Sequence, residues 1–331
     1  MGGRSAQKPP QGGGFRLKLV GCRPNAPHLR KSDFFSKRVR FPTFSSRRPM
    51  QTVLTIAGFD PSSGAGVTAD LMVFAAHGLF GIACITALTV QSTVGVRSTH
   101  PVSGEIVAET LECLDADIPP AGIKIGMLAS RDITFRICEY IDRLDVIHSV
   151  RSGRARVPVV LDPVLKSSSG RELLDPAGVT MLRERLLLLV DWITPNLDEL
   201  AVLSGESVVY RGDVPGACRA LQAQAGVRPD GGRVGVFATG GHLDPPDDFL
   251  LTPTGEEFWL PGERVATGST HGTGCALSSA FLSRLVLGDA PHEAALAAKA
   301  YVAGALRNAV GIGAGHGPMN HLWGFHKATD S

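Results

Sequence analysis

Six short apolar runs recur along the chain: TVLTIAG (52–58), IACITAL (82–88), AGIKIGML (121–128), VPVVLDPV (157–164), DWITPN (191–196) and RVGVFATGG (233–241). They lack the apolar/polar alternation of a strand with one wet face, and suit strands covered on both faces, as in a parallel sheet. Between them the apolar spacing is helical, over 66–77 (with Gly78 placed as a C-cap), 103–114, 132–147, 176–190 and 213–225. Strand and helix alternating through most of the body predict an α/β fold: a three-layer αβα sandwich around a mainly parallel central sheet. The segments DDFLLTP and EEFWLPGERV predict an antiparallel hairpin at one edge. The loops RSGRARV and RPDGGR are too short to separate domains, and no repeat of 20–50 residues is visible, so residues 50–331 read as one domain.

Charge sets residues 1–49 apart. They carry 12 Lys or Arg against one acid, Asp33, which leaves 21 basic and 30 acidic groups for the rest of the chain. An acidic body argues against a nucleic-acid surface there. The basic head lacks periodicity and is expected to be a disordered extension. It reads as a tail without a role (with Met50 as the effective start), as an organellar targeting segment, or as a basic arm touching RNA or membrane. The longest apolar run, Leu79 to Val90, is 12 residues. A membrane helix needs about 20, so no span is expected. Six scattered cysteines without a CxxC pair read as reduced thiols in a cytoplasmic protein, with organellar import as the exception if the head is real.

In open α/β sheets ligands sit beyond the carboxyl ends of the strands, so the residues there are the candidate site. STHGTGCA (269–276) opens an apolar helical segment. Glycines at 272 and 274 let backbone N–H groups approach an anion, and the helix end favours negative charge. Cys275 falls in the first turn, where that field favours thiolate over thiol. A Thr-capped helix with a structural cysteine fits the segment equally well. AGFDPSSGAGVTADL (57–71) has neither the dinucleotide fingerprint nor the Walker loop. Gln91 follows a strand with one donor and one acceptor on its amide. Asp162, Asn196 and Glu199 follow two others, where acids beside a phosphate site commonly handle magnesium. Asn196 and Glu199 also fit a helix-capping pattern, and Asp70 fits a solvated or capping acid.

The set TIAGFDPSSGAGVTADL, ITALTVQSTVGV, KIGML, VVLDPV, ITPNLDE and STHGTGCALSSA, in this order and followed by GHGPMNH (315–321), resembles the hydroxymethylpyrimidine/phosphomethylpyrimidine kinases of thiamine biosynthesis, within the ribokinase-like superfamily. The resemblance spans about residues 51–321. It implies a ribokinase-like fold that commonly pairs into a homodimer. It also implies ATP- and Mg2+-dependent phosphorylation of 4-amino-5-hydroxymethyl-2-methylpyrimidine and then of its monophosphate. Cys275 matches the family's catalytic base and Gly272, Thr273 and Gly274 its anion hole. Gln91, Asp70, Ala57 and Gly58 match the substrate pocket, and Asp162, Asn196 and Glu199 the phosphate and magnesium end.

One departure stands out. Thr239 occupies the place of a lysine that meets the ATP phosphates in well-known members. Lys166 is the candidate substitute, and its loss is then expected to raise the KM for ATP. Lys124 reads as structural, and His271 as a loop-orienting residue. His316 and His321 read as packing and hydrogen-bonding groups. Two other functions remain open at this point: a pyridoxine/pyridoxal kinase of the same superfamily, against which Gln91 argues, and a catalytically weak pyrimidine-binding or regulatory protein, for which only Thr239 argues.

Overall fold

The structure, a computed structural model, describes residues 50–151, 156–167, 170–228 and 231–325. The basic extension at 1–49 lies outside the described residues.

The first half of the body runs β1 (Thr52–Phe59), α1 (Gly66–Ala76), β2 (Phe80–Ser92), β3 (Gly95–Pro101), α2 (Gly104–Asp117), β4 (Ile123–Ile125), α3 (Arg131–Arg151) and β5 (Val159–Leu161). The second half runs α4 (Pro176–Glu184), β6 (Trp192–Ile193), α5 (Leu197–Ser204), α6 (Val214–Ala225), β7 (Gly235–Ala238), β8 (Asp248–Leu251), β9 (Glu257–Leu260), α7 (Thr273–Val286) and α8 (Pro291–Arg307). The strands form one sheet in the order β3-β2-β1-β4-β5-β6-β7-β8-β9. From β2 to β7 all pairs are parallel, and the predicted β8–β9 hairpin closes one edge antiparallel. The other edge is antiparallel too, through β3, a strand the sequence reading did not anticipate.

Two apolar cores lie on opposite faces of this sheet, which makes the sandwich three-layered. Successive strand residues divide between them. Leu54, Ile56, Val159, Leu161 and Val236 enter the core under α2–α6, while Val53, Val160, Phe237 and Leu250 enter the one under α1, α7 and α8. This is the period-2 geometry of a strand buried on both sides. The helix expected over 66–77 ends as foreseen, with Gly78 at φ 76 and Leu79 N–H bonded back to the Phe74 carbonyl. The helix expected over 176–190 instead stops at Glu184 and continues as a single 3-10 turn at Leu186–Leu188. Leu186 and Leu187 are both buried there, and the tighter turn points them inward together.

β1 is followed in the chain by β2 on one side and, after β3 and α2, by β4 on the other. The crevice beyond the ends of β1 and β4 is therefore the topological switch point, the place where such sheets bind ligands. α7 is locked over it by its own packing. Residues Ala276 to Ser283 are all buried, and the Phe281 ring meets Trp192 and Phe237 edge-on at 5.1 and 5.2 Å. Each such aromatic pair contributes about 1 kcal/mol beyond area burial, so the start of α7 has a fixed address above the sheet.

Candidate active site

The start of α7 has no side-chain cap. Gly272 is the N-cap residue at φ 80, and the first amide that turns back into the helix is Ala276 N–H, bonded to the Gly272 carbonyl at 2.9 Å. The amides of Thr273, Gly274 and Cys275 precede it and carry the helix's unsatisfied donors. The Thr-cap alternative is thus set aside. The two glycines do different things. A Cβ on Gly272 would collide with the Gly64 carbonyl, and its left-handed φ disfavours any side chain, whereas Gly274 is exposed with open space where a Cβ would stand. Gly272 therefore seats the helix against the β1–α1 loop, and Gly274 leaves the approach to the amides clear.

Cys275 is partly enclosed. Its thiol donates to the Asp162 carboxylate, and the Gly66 amide points at its sulfur. The expectation that the helix end favours thiolate is overturned. Burial pushes the thiol up to about 12, with Asp162 and Asp70 adding to the rise and Lys124 and the Gly66 amide only partly opposing it. A half-charge at a helix end is outweighed by desolvation plus two carboxylates. At rest the sulfur is a thiol.

Those carboxylates belong to a buried chain of charge. Lys124, from the middle of β4, is fully buried and reaches both Asp70 oxygens at 3.0 and 3.1 Å and Asp162 at 3.8 Å. Asp70 is fully buried on α1, where it also accepts from Thr55 at 2.6 Å and Ser279 at 2.7 Å. It is neither solvated nor a helix cap, so that alternative falls, and its oxygens are occupied by protein groups. Burial works against the Lys124 charge, but Asp70, joined by Asp162, outweighs it and holds the ammonium above its usual range. Asp162, immediately after β5, is raised by burial against the pull of Lys124, and it also accepts from Ser278 at 3.3 Å.

Asn196 and Glu199 form the capping box that the sequence allowed. The Asn196 side chain accepts from Glu199 N–H at 2.9 Å, and the Glu199 carboxylate accepts from Asn196 N–H at 3.0 Å. The second Glu199 oxygen accepts from Leu165 N–H at 3.3 Å. Burial, then the charge of Asp162, pushes this carboxyl up to about 8. Among the described residues no three His, Cys, Asp or Glu side chains gather as a metal cluster. Thr239 follows β7, half-buried, and bridges to Asn196 through backbone pairing. Lys166 is exposed on the loop after β5, paired through its backbone to Glu172.

Ala57 and Gly58 close β1. A Cβ on Gly58 would stand 2.8 Å from the Met127 sulfur, so the glycine lets the loop after β4 press against β1. Met127, absent from the sequence-derived site, lines this contact. Gln91 lies at the far end of β2. One end of its amide is 3.0 Å from His271 Nε2 and the other 3.2 Å from Thr89 Oγ1. His271 Nε2 in turn lies 2.7 Å from the Asp60 carboxylate. Asp60 was also absent from the sequence-derived site, although Asp-Pro directly after a buried strand marks it as a loop organiser. It is buried and accepts from Ser62 N–H, Ser62 Oγ–H and Ala65 N–H at 2.7 to 3.0 Å. Despite burial, His271 and Ser62 hold its carboxyl below the usual range.

Residues 60–320 match the phosphomethylpyrimidine kinase sequence profile. The chain belongs to the phosphomethylpyrimidine kinase family. A hydroxymethylpyrimidine/phosphomethylpyrimidine kinase of Haemophilus influenzae is 35% identical over 283 residues, 84% of this chain and 98% of the relative. The crystal structure of phosphomethylpyrimidine kinase from Clostridium difficile superposes with a TM-score of 0.64 at 33% identity, covering 76% of this chain and 98% of that one. The pyridoxal kinase of Staphylococcus aureus, solved with pyridoxal, reaches a TM-score of 0.70 at 27% identity, covering 83% and 94%. The backbone is thus shared by both kinds of kinase, while sequence identity is higher to the pyrimidine kinase. No helix among the described residues is long and apolar enough to cross a membrane.

Proposed function

We infer that this chain transfers the γ-phosphoryl group of ATP to the hydroxymethyl oxygen of 4-amino-5-hydroxymethyl-2-methylpyrimidine, and then phosphorylates the monophosphate to the diphosphate used for thiamine. The observation that carries the reading is the uncapped, glycine-led start of α7 above the β1/β4 switch point, holding a thiol against a buried carboxylate. The free amides of Thr273, Gly274 and Cys275 face the charge that builds on the transferring group. In the fraction of molecules whose thiol proton has already left to solvent, the Cys275 thiolate takes the hydroxyl proton as the substrate oxygen bonds to phosphorus and the bond to ADP breaks. Gln91 reads the aminopyrimidine edge, and Ala57, Gly58 and Met127 shape the pocket floor. Asp70 acts from beneath, holding Lys124. Thr239 and Lys166 serve the ATP phosphates.

Magnesium fits Asp162 and Glu199. Two buried carboxyls, both pushed up, would hold a hard ion there, and it would supply positive charge beside the phosphates and neutralise theirs. Glu199 sits above its ordinary value, so its proton is held near neutrality, and burial favours the fold while that proton stays. That contribution is lost as pH rises from the usual glutamate range through about 8. Magnesium titrated in the presence of ADP should therefore displace a proton at about pH 6.5 and almost none at about pH 9.5. Equal proton release at both, by calorimetry in buffers of different ionisation heat, would remove Glu199 from the metal site.

The shared backbone with pyridoxal kinase supports a second reading, in which the alcohol is pyridoxal. Phosphorus NMR of reactions with each alcohol separates the two. Successive mono- and diphosphate signals from the pyrimidine support the first reading. Turnover of pyridoxal alone supports the second, and ligand binding without transfer points to a regulatory protein. Leu88, Val90 and Val94, exposed along β2 and the turn into β3, offer an apolar surface for a second copy of the chain. Light scattering should give the mass of a dimer, and a monomer mass would discard that pairing.

A further inference from the structure

The contacts around Gln91 carry a rule about protons that fixes more than its position. His271 Nε2 has one proton at most, and it lies 2.7 Å from Asp60 and 3.0 Å from the Gln91 amide. Asp60 is ionised at neutral pH, because hydrogen bonds from His271 and Ser62 hold its carboxyl low against burial. A bare imidazole lone pair facing a carboxylate is repulsive, so Nε2 carries its proton toward Asp60, whether the ring is neutral or charged. The Gln91 atom facing the same N–H must then be an acceptor. At the other end of the amide, Thr89 Oγ1 gives its single proton to the Phe59 carbonyl at 3.0 Å. It lies 3.2 Å from Gln91 Oε1, and with its proton on Phe59 it is free to accept from the amide NH2 group once the amide is turned over. The structure sets Nε2 of the amide toward His271 and Oε1 toward Thr89; the His271 end demands the reverse, Oε1 toward His271, and the Thr89 end accommodates the NH2 group. An amide reaches it by a half-turn that leaves its shape unchanged.

We propose that Asp60 and His271 form a proton-ordered clamp that locks the Gln91 amide in one orientation, and so fixes the donor–acceptor order the pocket reads in its heterocycle. The clamp is rigid on every side. The Asp60 carboxylate is held by Ser62 and Ala65, and the His271 ring lies so close to Gly64 that a Cβ there would strike it. The His271 amide is tied to the Gly317 carbonyl at 3.1 Å, so the carboxyl-terminal GHGP segment braces it too. A locked amide presents an acceptor on the His271 side and a donor on the Thr89 side. A ring with an amino group beside an unprotonated nitrogen satisfies that order. The corresponding 4-oxo ring, with a carbonyl beside an N–H, reverses it and leaves two polar groups facing their own kind. A free glutamine would simply turn over and accept both. His271 and Asp60 are thus positioning residues for specificity.

The inference rests on Gln91 contacting the substrate, and its test separates the two claims. Nitrogen NMR of protein labelled at histidine should show His271 protonated at Nε2 in the unliganded state; a neutral Nδ1–H tautomer overturns the clamp outright, without reference to activity. The ratio of kcat/KM for 4-amino-5-hydroxymethyl-2-methylpyrimidine over its 4-oxo analogue is then compared in wild type, His271→Phe and Gln91→Ala. The clamp predicts that His271→Phe, which keeps a ring against Gly64 and removes the proton, lowers this ratio by about tenfold or more. A ratio unchanged in His271→Phe but collapsed in Gln91→Ala overturns the clamp and keeps the substrate contact. A ratio unchanged in Gln91→Ala removes the substrate contact itself.

Discussion

Replacing Cys275 with Ala should lower kcat by about 10^2 to 10^4, the range expected when a general base is removed, while the Kd for ATP moves by no more than about twofold. The split follows from where the sulfur stands. It lies in the first turn of α7, hydrogen-bonded to Asp162, and its loss leaves the amides of that turn and the nucleotide end of the sheet in place. The pH profile sharpens the test. In the unliganded protein the thiol is pushed up to about 12, so only a small, pH-proportional fraction is thiolate near neutrality. Wild-type kcat/KM should therefore climb with pH across the neutral range, and the climb should flatten in Cys275→Ala. A variant that retains kcat within about threefold would show that proton removal contributes little to a reaction dominated by positioning.

Lys124→Met should be the most destabilising single change in the sheet. Among the described residues the lysine is the cation paired with both Asp70 and Asp162, and all three are withdrawn from water. Breaking a buried pair from one side costs about 3–5 kcal/mol. At about 2–4 °C per kcal/mol for a chain of this size, the melting temperature should fall by roughly 6–20 °C. Removing charge and counter-charge together is expected to be milder, because the cost lies in the uncompensated ion. Lys124→Met combined with Asp70→Asn should thus melt above the single variant. Thermal denaturation checks both. A single variant as stable as wild type, or a double variant worse than the single, would mean that the charges are not the source of the cost.

The same residues show how much of this was legible in sequence. The parallel centre was, because a strand covered on both faces must be apolar at successive positions, as in VPVVLDPV. β3 was not. Its sequence GVRSTHP has a single aliphatic residue, and as a half-exposed edge strand its pairing with β2 comes from backbone hydrogen bonds that leave no apolar signature. Part of the site was legible, since Asp162 and Thr239 directly follow β5 and β7, whereas Gln91, expected just past a strand, lies within β2 and Asp70 lies on α1. Their partners were not. Lys124 and Asp70 are 54 residues apart, and Asp60 and His271 are 211 apart. A lysine inside IKI signals only that a counter-charge must exist, and the fold supplies its identity. The thiolate expectation failed for the same reason. The helix-end field is local and readable, whereas the carboxylates that help burial overrule it come from α1 and the end of β5.

A crystal of the chain with magnesium, a non-hydrolysable ATP analogue and the aminopyrimidine alcohol tests the account most directly. The terminal phosphate should accept hydrogen bonds from the amides of Thr273, Gly274 and Cys275, with the hydroxymethyl oxygen within about 3.5 Å of the Cys275 sulfur. A terminal phosphate bound away from α7, with the alcohol out of the thiol's reach, would contradict it.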